Sequence, residues 1–351
     1  MSNLIRFPNI DAKLILNLEV IAMIGLFARY MFEATRVSPL ANAISGEGWN
    51  SSQDLFAMDE RPTLRKGLKT MPVERHQQKL EKFIQLHSLD GAFLMPNAWD
   101  AGTARFLEGL GFEALATTSA GLAFSMGLRD SAGCLSRRQV LDNARSIVEA
   151  TNLPVSADLE DGFGASPEDC AQTVREAVEI GLCGGAIEDA TGDPDNPIYE
   201  FENAVDRIRA AVAAKSGHGF LITARAENFI YNRPDLNDTI RRLQAFEEAG
   251  ADVVYAPGLP DIETVRTVCT SVSVPVNVVV GLSVTSYTVD DLSAAGVRRI
   301  STGGSLARAA LGEIIRSAQE LKGCGTYGYS QRAISDADAA RKMRVVPRIE
   351  R

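Results

Sequence analysis

The chain has 351 residues, 45% of them hydrophobic and 23% charged, the balance of a soluble globular protein with room for one large domain or two ordinary ones. A net charge of −9 at pH 7 argues against a nucleic-acid binder, which carries a basic face. Only three histidines argue against a histidine-rich zinc site or a Ser-His-Asp triad, and five cysteines with no C-x-x-C pair read as reduced thiols of a cytoplasmic protein.

Residues 1–70 differ in pattern from the rest of the chain. Leu14 to Ala28 is apolar apart from Asn17 and Glu19, too short and too interrupted for a transmembrane helix, so no membrane contact is expected. Ala41-Asn42-Ala43 resembles a secretory cleavage site, but charged residues separate it from the apolar run, which makes a poor signal peptide. Residues 45–69 are polar and patternless. The expected organisation is a disordered or non-native extension over 1–70, a catalytic domain over 71–325 and a tail over 326–351.

A first helix is expected over Arg75–Leu89, with Leu80, Phe83, Ile84 and Leu86 on its apolar face. Short apolar runs then alternate with amphipathic ones. Strands are expected at Ala92–Pro96, Ala114–Thr118, Val155–Glu160, Gly185–Asp189, Phe220–Ala226, Asp252–Ala256, Val274–Val280 and Arg299–Thr302. Helical patterns fill the gaps, and several end in a glycine just before the next strand, such as Gly181, Gly250 and Gly296. Ser166-Pro167-Glu168-Asp169 is a helix start, with a capping serine, proline in the first turn and acids behind it. Eight strand–helix units predict a (β/α)₈ TIM barrel. A doubly wound sheet is the alternative, but the first strand runs into Pro96-Asn97-Ala98-Trp99-Asp100 and not into a glycine fingerprint.

Chemistry in such a barrel collects at the C-terminal strand ends. The third strand ends in Ala157-Asp158-Leu159-Glu160-Asp161-Gly162, and residues two apart on a strand share a face, so Asp158 and Glu160 are expected to project together. Paired carboxylates repel unless a cation or a proton lies between them, and oxygen-only ligands suit Mg²⁺, or Mn²⁺ in its place. The fourth strand ends in Glu188-Asp189, and the fifth brings Arg225 with Glu227 two residues on. Strands about 4.8 Å apart would set these acids beside an arginine whose planar fork can clamp a carboxylate. The second strand ends in Thr118-Ser119-Ala120-Gly121, with Asp130 in the loop beyond, and the seventh contributes Asn277. Each has a bland reading: Arg225 as a structural ion pair, Glu188 as a helix-start acid, Asn277 as a capping residue.

In these motifs the sequence resembles the isocitrate lyase/phosphoenolpyruvate mutase superfamily, on its PEP mutase-like branch. The resemblance runs from about Gln85 to Leu321, through Thr117-Thr118-Ser119-Ala120-Gly121, Gly127-Leu128-Arg129-Asp130, Ser156-Ala157-Asp158-Leu159-Glu160-Asp161-Gly162, Ala186-Ile187-Glu188-Asp189, Thr223-Ala224-Arg225-Ala226-Glu227, and Tyr255-Ala256-Pro257-Gly258. It implies a barrel that exchanges its eighth helix, after Ser305, with another subunit of a homodimer or homotetramer. It implies that Asp158 is the direct Mg²⁺ ligand and that Asp130, Glu160 and Glu188 hold the metal's waters. Ser119, with the backbone of Ala120 and Gly121, would hold a 2-oxo carboxylate that Arg225 also contacts. The implied reaction makes or breaks a C–C bond beside a small 2-oxo acid or a di- or tricarboxylate. A C–P mutase or phosphonopyruvate hydrolase, and a binding protein that keeps only the metal site, are the alternatives. One departure stands out: the family loop after strand 4 carries Lys, Cys and His or Lys and Asn, whereas Asp189 to Tyr199 here has no Lys, Cys or His. That leaves Asn196, Asp195, Tyr199 and Glu227 as acid/base candidates.

Overall fold

The structure, a computed structural model, describes residues 73–130, 133–282 and 287–343; the extension expected over residues 1–70 lies outside them. The described chain is a closed parallel barrel. Helix α1 (Val73–Ser88) precedes β1 (Phe93–Met95), β2 (Asn97–Ala98), α2 (Ala101–Gly109), β3 (Leu115–Thr117) and α3 (Ser119–Ser125). Then come α4 (Arg137–Ala150), β4 (Val155–Asp158), α5 (Pro167–Glu179), β5 (Gly184–Glu188), α6 (Phe201–Ala214), β6 (Leu221–Arg225) and α7 (Leu236–Glu248). The barrel finishes with β7 (Val253–Tyr255), α8 (Ile262–Ser271), β8 (Val276–Val279), α9 (Val289–Ala294), β9 (Arg299–Ser301) and α10 (Ser305–Cys324).

Nine strand segments make eight staves. β1 pairs with β9 and β2 pairs with β3, so the two short segments are one stave interrupted at Pro96, which has no N–H to give. That junction closes the ring. The segments expected as eight strands all form, and the architecture is the (β/α)₈ TIM barrel.

Period-two alternation sorts the strand residues. On β6, Ile222 and Ala224 join the large outer core under the helices. Leu221, Thr223 and Arg225 point inward and rise from an apolar floor to a charged mouth. Leu221 clusters with Leu80, Phe83 and Leu86 of α1, which closes the N-terminal end of the barrel. Phe83 is wholly buried there, and truncating it to alanine should cost about 3–5 kcal/mol. Ile84, expected on that face, is instead 47% exposed. The expected helix start at Ser166 is present as a reciprocal cap with Asp169.

Two local expectations need correction. β4 ends at Asp158, and Glu160 has φ +48°, so the two acids are not strand neighbours on one face. The turn needs this: Gly162, at φ +82°, packs where a Cβ would lie 2.7 Å from Cys170 Sγ. The short helix α3 stands where a loop was expected, started by Thr118, whose hydroxyl accepts from Gly121 N–H. Within the segment expected as a tail, α11 (Asp336–Lys342) docks on α2 through Lys342 Nζ to Gly109 O at 3.1 Å.

Candidate active site

The C-terminal ends of β4, β5 and β6 place three carboxylates around one guanidinium. Arg225 Nη1 lies 3.2 Å from Asp158 Oδ1 and 2.9 Å from Glu188 Oε2, and its Nε lies 2.9 Å from Glu227 Oε1. The cross-strand register explains this directly, since Glu188 is paired with Arg225 and Arg225 with Tyr255. The Tyr255 ring backs the guanidinium at 5.1 Å. Arg225 Nη2 makes no hydrogen bond among the described residues.

Burial pushes the acids toward their neutral forms. Glu160 is raised to about 8, by burial first and then by the Asp158 charge. Glu188 is raised well above the usual carboxylate range by burial, against the opposing pull of Arg225. Asp130 is raised by burial and by Asp158, and Glu227 by burial. Asp130 and Glu160 line the same cleft, of about 800 Å³, and make no ion pair among the described residues.

A second layer fixes this geometry. Asp189, buried and raised by that burial to about 7, accepts from Glu227 N–H at 2.8 Å and from Arg242 at 3.0 Å. Arg242 also holds the Tyr199 carbonyl at 2.9 Å. The backbone that carries Glu227 is therefore tied to both the β5 loop and α7. Asp189 was legible as an acid beside Glu188, but its task is structural.

Ser119 opens α3, and both its N–H (3.2 Å) and its hydroxyl (3.0 Å) donate to Asp158 Oδ2. Ala120 lines an inner chamber of about 330 Å³ below the cleft, together with Asp158, Arg225 and Asn277. Gly121 does not reach either cavity. Its N–H goes to Thr118 Oγ1 at 3.3 Å, and it packs so tightly that a Cβ would meet Trp99 at 2.8 Å. Asn277 is buried, with Nδ2 donating to Ser301 Oγ at 3.0 Å and Oδ1 accepting from Arg299 at 2.8 Å.

The loop after β5 is a closed hairpin, pinned by an Ala190–Ile198 bridge and by Tyr199 N–H to Asp189 O at 2.7 Å. Asp195 and Asn196 are exposed, and Asn196 only approaches Asp193. The Tyr199 hydroxyl faces Asp161 at 3.4 Å, and its ring lies under Arg207. Of the acid/base candidates only Glu227 lies in the site. Ile230 and Tyr231 line the cleft from the turn after β6, and no sequence signal marked them; Asp161, from the acidic motif after β4, lines it too.

Known proteins resemble this chain to different degrees. The family described as phosphoenolpyruvate phosphomutase matches residues 83–322. The 2-methylisocitrate lyase of Escherichia coli (strain K12) is 32% identical over 207 residues, 56% of this chain and 69% of that protein. A solved Burkholderia cenocepacia J2315 protein, provisionally described as a lyase/mutase, is 50% identical with a TM-score of 0.74, covering 76% of this chain and 96% of that one. An oxaloacetate acetylhydrolase, solved with its product oxalate, is 25% identical with a TM-score of 0.69, covering 76% and 93%. A family match over residues 83–322, most of the barrel, places the chain in the phosphoenolpyruvate phosphomutase family, within the PEP mutase/isocitrate lyase superfamily of enzymes.

Proposed function

We propose that the protein is a Mg²⁺-dependent carbon–carbon lyase acting on a small 2-oxo or 2-hydroxy di- or tricarboxylate. The observation that carries this reading is the convergence of Asp158, Glu188 and Glu227 on Arg225, with Asp130 and Glu160 beside them and outside any ion pair among the described residues. Five carboxylates against one guanidinium are an excess of acid, which burial holds toward the neutral form and which a divalent cation would let ionise. The donors are all oxygens, which fits a hard cation, Mg²⁺ or Mn²⁺ in its place. Among the described residues no three His, Cys, Asp or Glu side chains form a complete ligand set. Mg²⁺ keeps several waters and takes few direct protein ligands.

Asp158 would be the direct ligand, with Asp130, Glu160 and Glu188 holding the metal's waters. Such a cation supplies Lewis-acid stabilisation of the negative charge that grows on a 2-oxo oxygen as the adjacent C–C bond breaks. The chain's own groups do the positioning. Ser119 N–H and Oγ–H both donate to Asp158 Oδ2, and a cation taking that oxygen would release them to a substrate carboxylate beside Ala120. Arg225 keeps Nη2 free for a ligand oxygen while its other nitrogens stay anchored to the acids.

The relatives named for 2-methylisocitrate and oxaloacetate support this substrate class. The description of the matching family favours a second reading, cleavage or transfer at a C–P bond. Incubating the protein with 2-methylisocitrate, oxaloacetate and phosphonopyruvate, with and without Mg²⁺, separates the two. Mg²⁺-dependent cleavage of a carboxylic acid supports the first reading, and turnover of phosphonopyruvate alone overturns it.

The assembly belongs to the same proposal. α10 exposes Leu311, Ile314, Ile315 and Leu321, a stripe suited to burial against a second copy as the family's exchanged helix. Light scattering that shows a monomer at micromolar concentration would contradict it. Among the described residues no helix is long and apolar enough to cross a membrane. The scattered free thiols fit a reducing cytoplasm.

A further inference from the structure

Across the barrel from the acids, one charge has no counter-charge. Arg299 begins β9, points into the barrel and is 2% exposed. Its Nε donates to Asn277 Oδ1 at 2.8 Å and Nη2 donates to Thr223 Oγ1 at 2.8 Å. Nη1 lies 3.4 Å from His87 Nε2. His87 Nδ1 is 2.8 Å from the Phe83 carbonyl, which can only accept, so Nδ1 carries the hydrogen and Nε2 receives from Arg299. All three partners are therefore neutral. Burial, and then the Arg299 charge, hold His87 down at about 3.

A guanidinium has five N–H donors, and these contacts use three. Among the described residues no carboxylate lies within ion-pair distance of Arg299. A buried charge without a counter-charge is costly to keep, and replacing it with a neutral side chain is the usual outcome unless something requires it. The arginine also lines the inner chamber, as do Asp158, Ser119 and Arg225. The chamber thus holds, besides the acids around Arg225, a cation that no acid neutralises.

We infer that Arg299 forms a second anion subsite, which receives the distal carboxylate of a ligand whose 2-oxo end sits at Ser119 and Asp158. The inference rests on the substrate class proposed above and deepens it. It assigns the dicarboxylate requirement to one residue, and it gives Asn277 the task of aiming Arg299 and not of touching substrate. Thr223 and Asn277 hold two corners of the guanidinium, so the unused N–H groups are fixed in direction before a ligand arrives. Arg299 could otherwise be a bolt that only joins the α1 cap to the staves, and the two roles give different binding data.

Calorimetry on the full-length protein at saturating Mg²⁺ tests this with three kinds of probe. Oxalate fills only the proximal end. 2-Oxoglutarate against 2-oxopentanoate, and 2-oxoadipate against 2-oxohexanoate, differ by the distal carboxylate at constant length. The wild type should prefer the dicarboxylate of at least one pair by about 30-fold, the order expected for a hydrogen bond to a charged group. Arg299→Gln should collapse that preference toward one and leave oxalate affinity unchanged. The wild-type comparison stands even if the variant does not fold. Wild-type protein that binds oxalate but binds the members of both pairs equally overturns the subsite, as does an Arg299→Gln variant that keeps the preference. Failure of oxalate to bind at all overturns the underlying functional reading instead.

Discussion

Two arginines point into this barrel from strands, both nearly enclosed, and their surroundings are opposite. Arg225 ends β6 with three carboxylates within 3.2 Å, whereas Arg299 starts β9 with only Asn277, Thr223 and His87. A fold optimised only for stability would have paired charges evenly or removed them. Here the β4–β6 arc carries an excess of acid and the β8–β9 arc an unbalanced cation. Charge separated across one chamber is costly when empty, and it suits a ligand that is itself an anion held through a metal at one end. The difference teaches that the two arginines do different work: one organises the acids, and the other waits for a negative charge.

The largest effect should come from the acidic arc. Asp158→Ala removes the proposed direct metal ligand and the acceptor for Ser119, so turnover should fall by about 10³-fold or more while the fold survives. Normal Mg²⁺-dependent turnover in that variant would move the metal elsewhere. Arg225→Lys keeps the charge but not the fork, and should lower turnover by roughly 10²-fold, about 3 kcal/mol of transition-state stabilisation, with Mg²⁺ binding retained. If the variant instead melts early yet turns over normally, Arg225 is scaffold and the contrast with Arg299 dissolves.

The other arc is sharpened by pH. His87 is held at about 3 when folded, below its unfolded value of about 6.5. A base whose folded pKa is depressed contributes full stability above the unfolded value and loses it as pH falls toward the folded one. Between pH 6.5 and 4.5 the wild type should therefore lose about 2–3 kcal/mol more than His87→Gln, read from denaturant midpoints. Equal acid slopes would mean that His87 is not the neutral partner of Arg299. The smallest effect belongs to the β5 loop. Asn196→Ala should leave turnover within about twofold, because Asn196 is exposed and outside the cleft, as ordinary surface substitutions are. A large loss would show that the closed hairpin opens over the substrate.

Much of this was legible in the sequence, for identifiable reasons. Strand segments announced themselves as short apolar runs ending in polar residues, because a barrel buries both faces of each strand and puts its chemistry at one end. The meeting of Asp158, Glu188 and Arg225 followed from adjacent staves in register. Glu160 was placed wrongly because an unbroken apolar-polar alternation does not show where a strand yields to a left-handed turn. The N–H of Gly121 turns to a threonine cap, because a short helix stands where no helical pattern was read. Arg299 passed unmarked: an arginine opening an apolar strand reads as a surface residue, and only the ring closure with β1 carries it inside.

The measurement closest to the central claim is an oxalate titration of the full-length protein by calorimetry, with and without Mg²⁺, repeated on Asp158→Ala. The account predicts saturable binding to the wild type only when Mg²⁺ is present, and none to Asp158→Ala under either condition. Oxalate binding of equal affinity without Mg²⁺, or undiminished in Asp158→Ala, would contradict it.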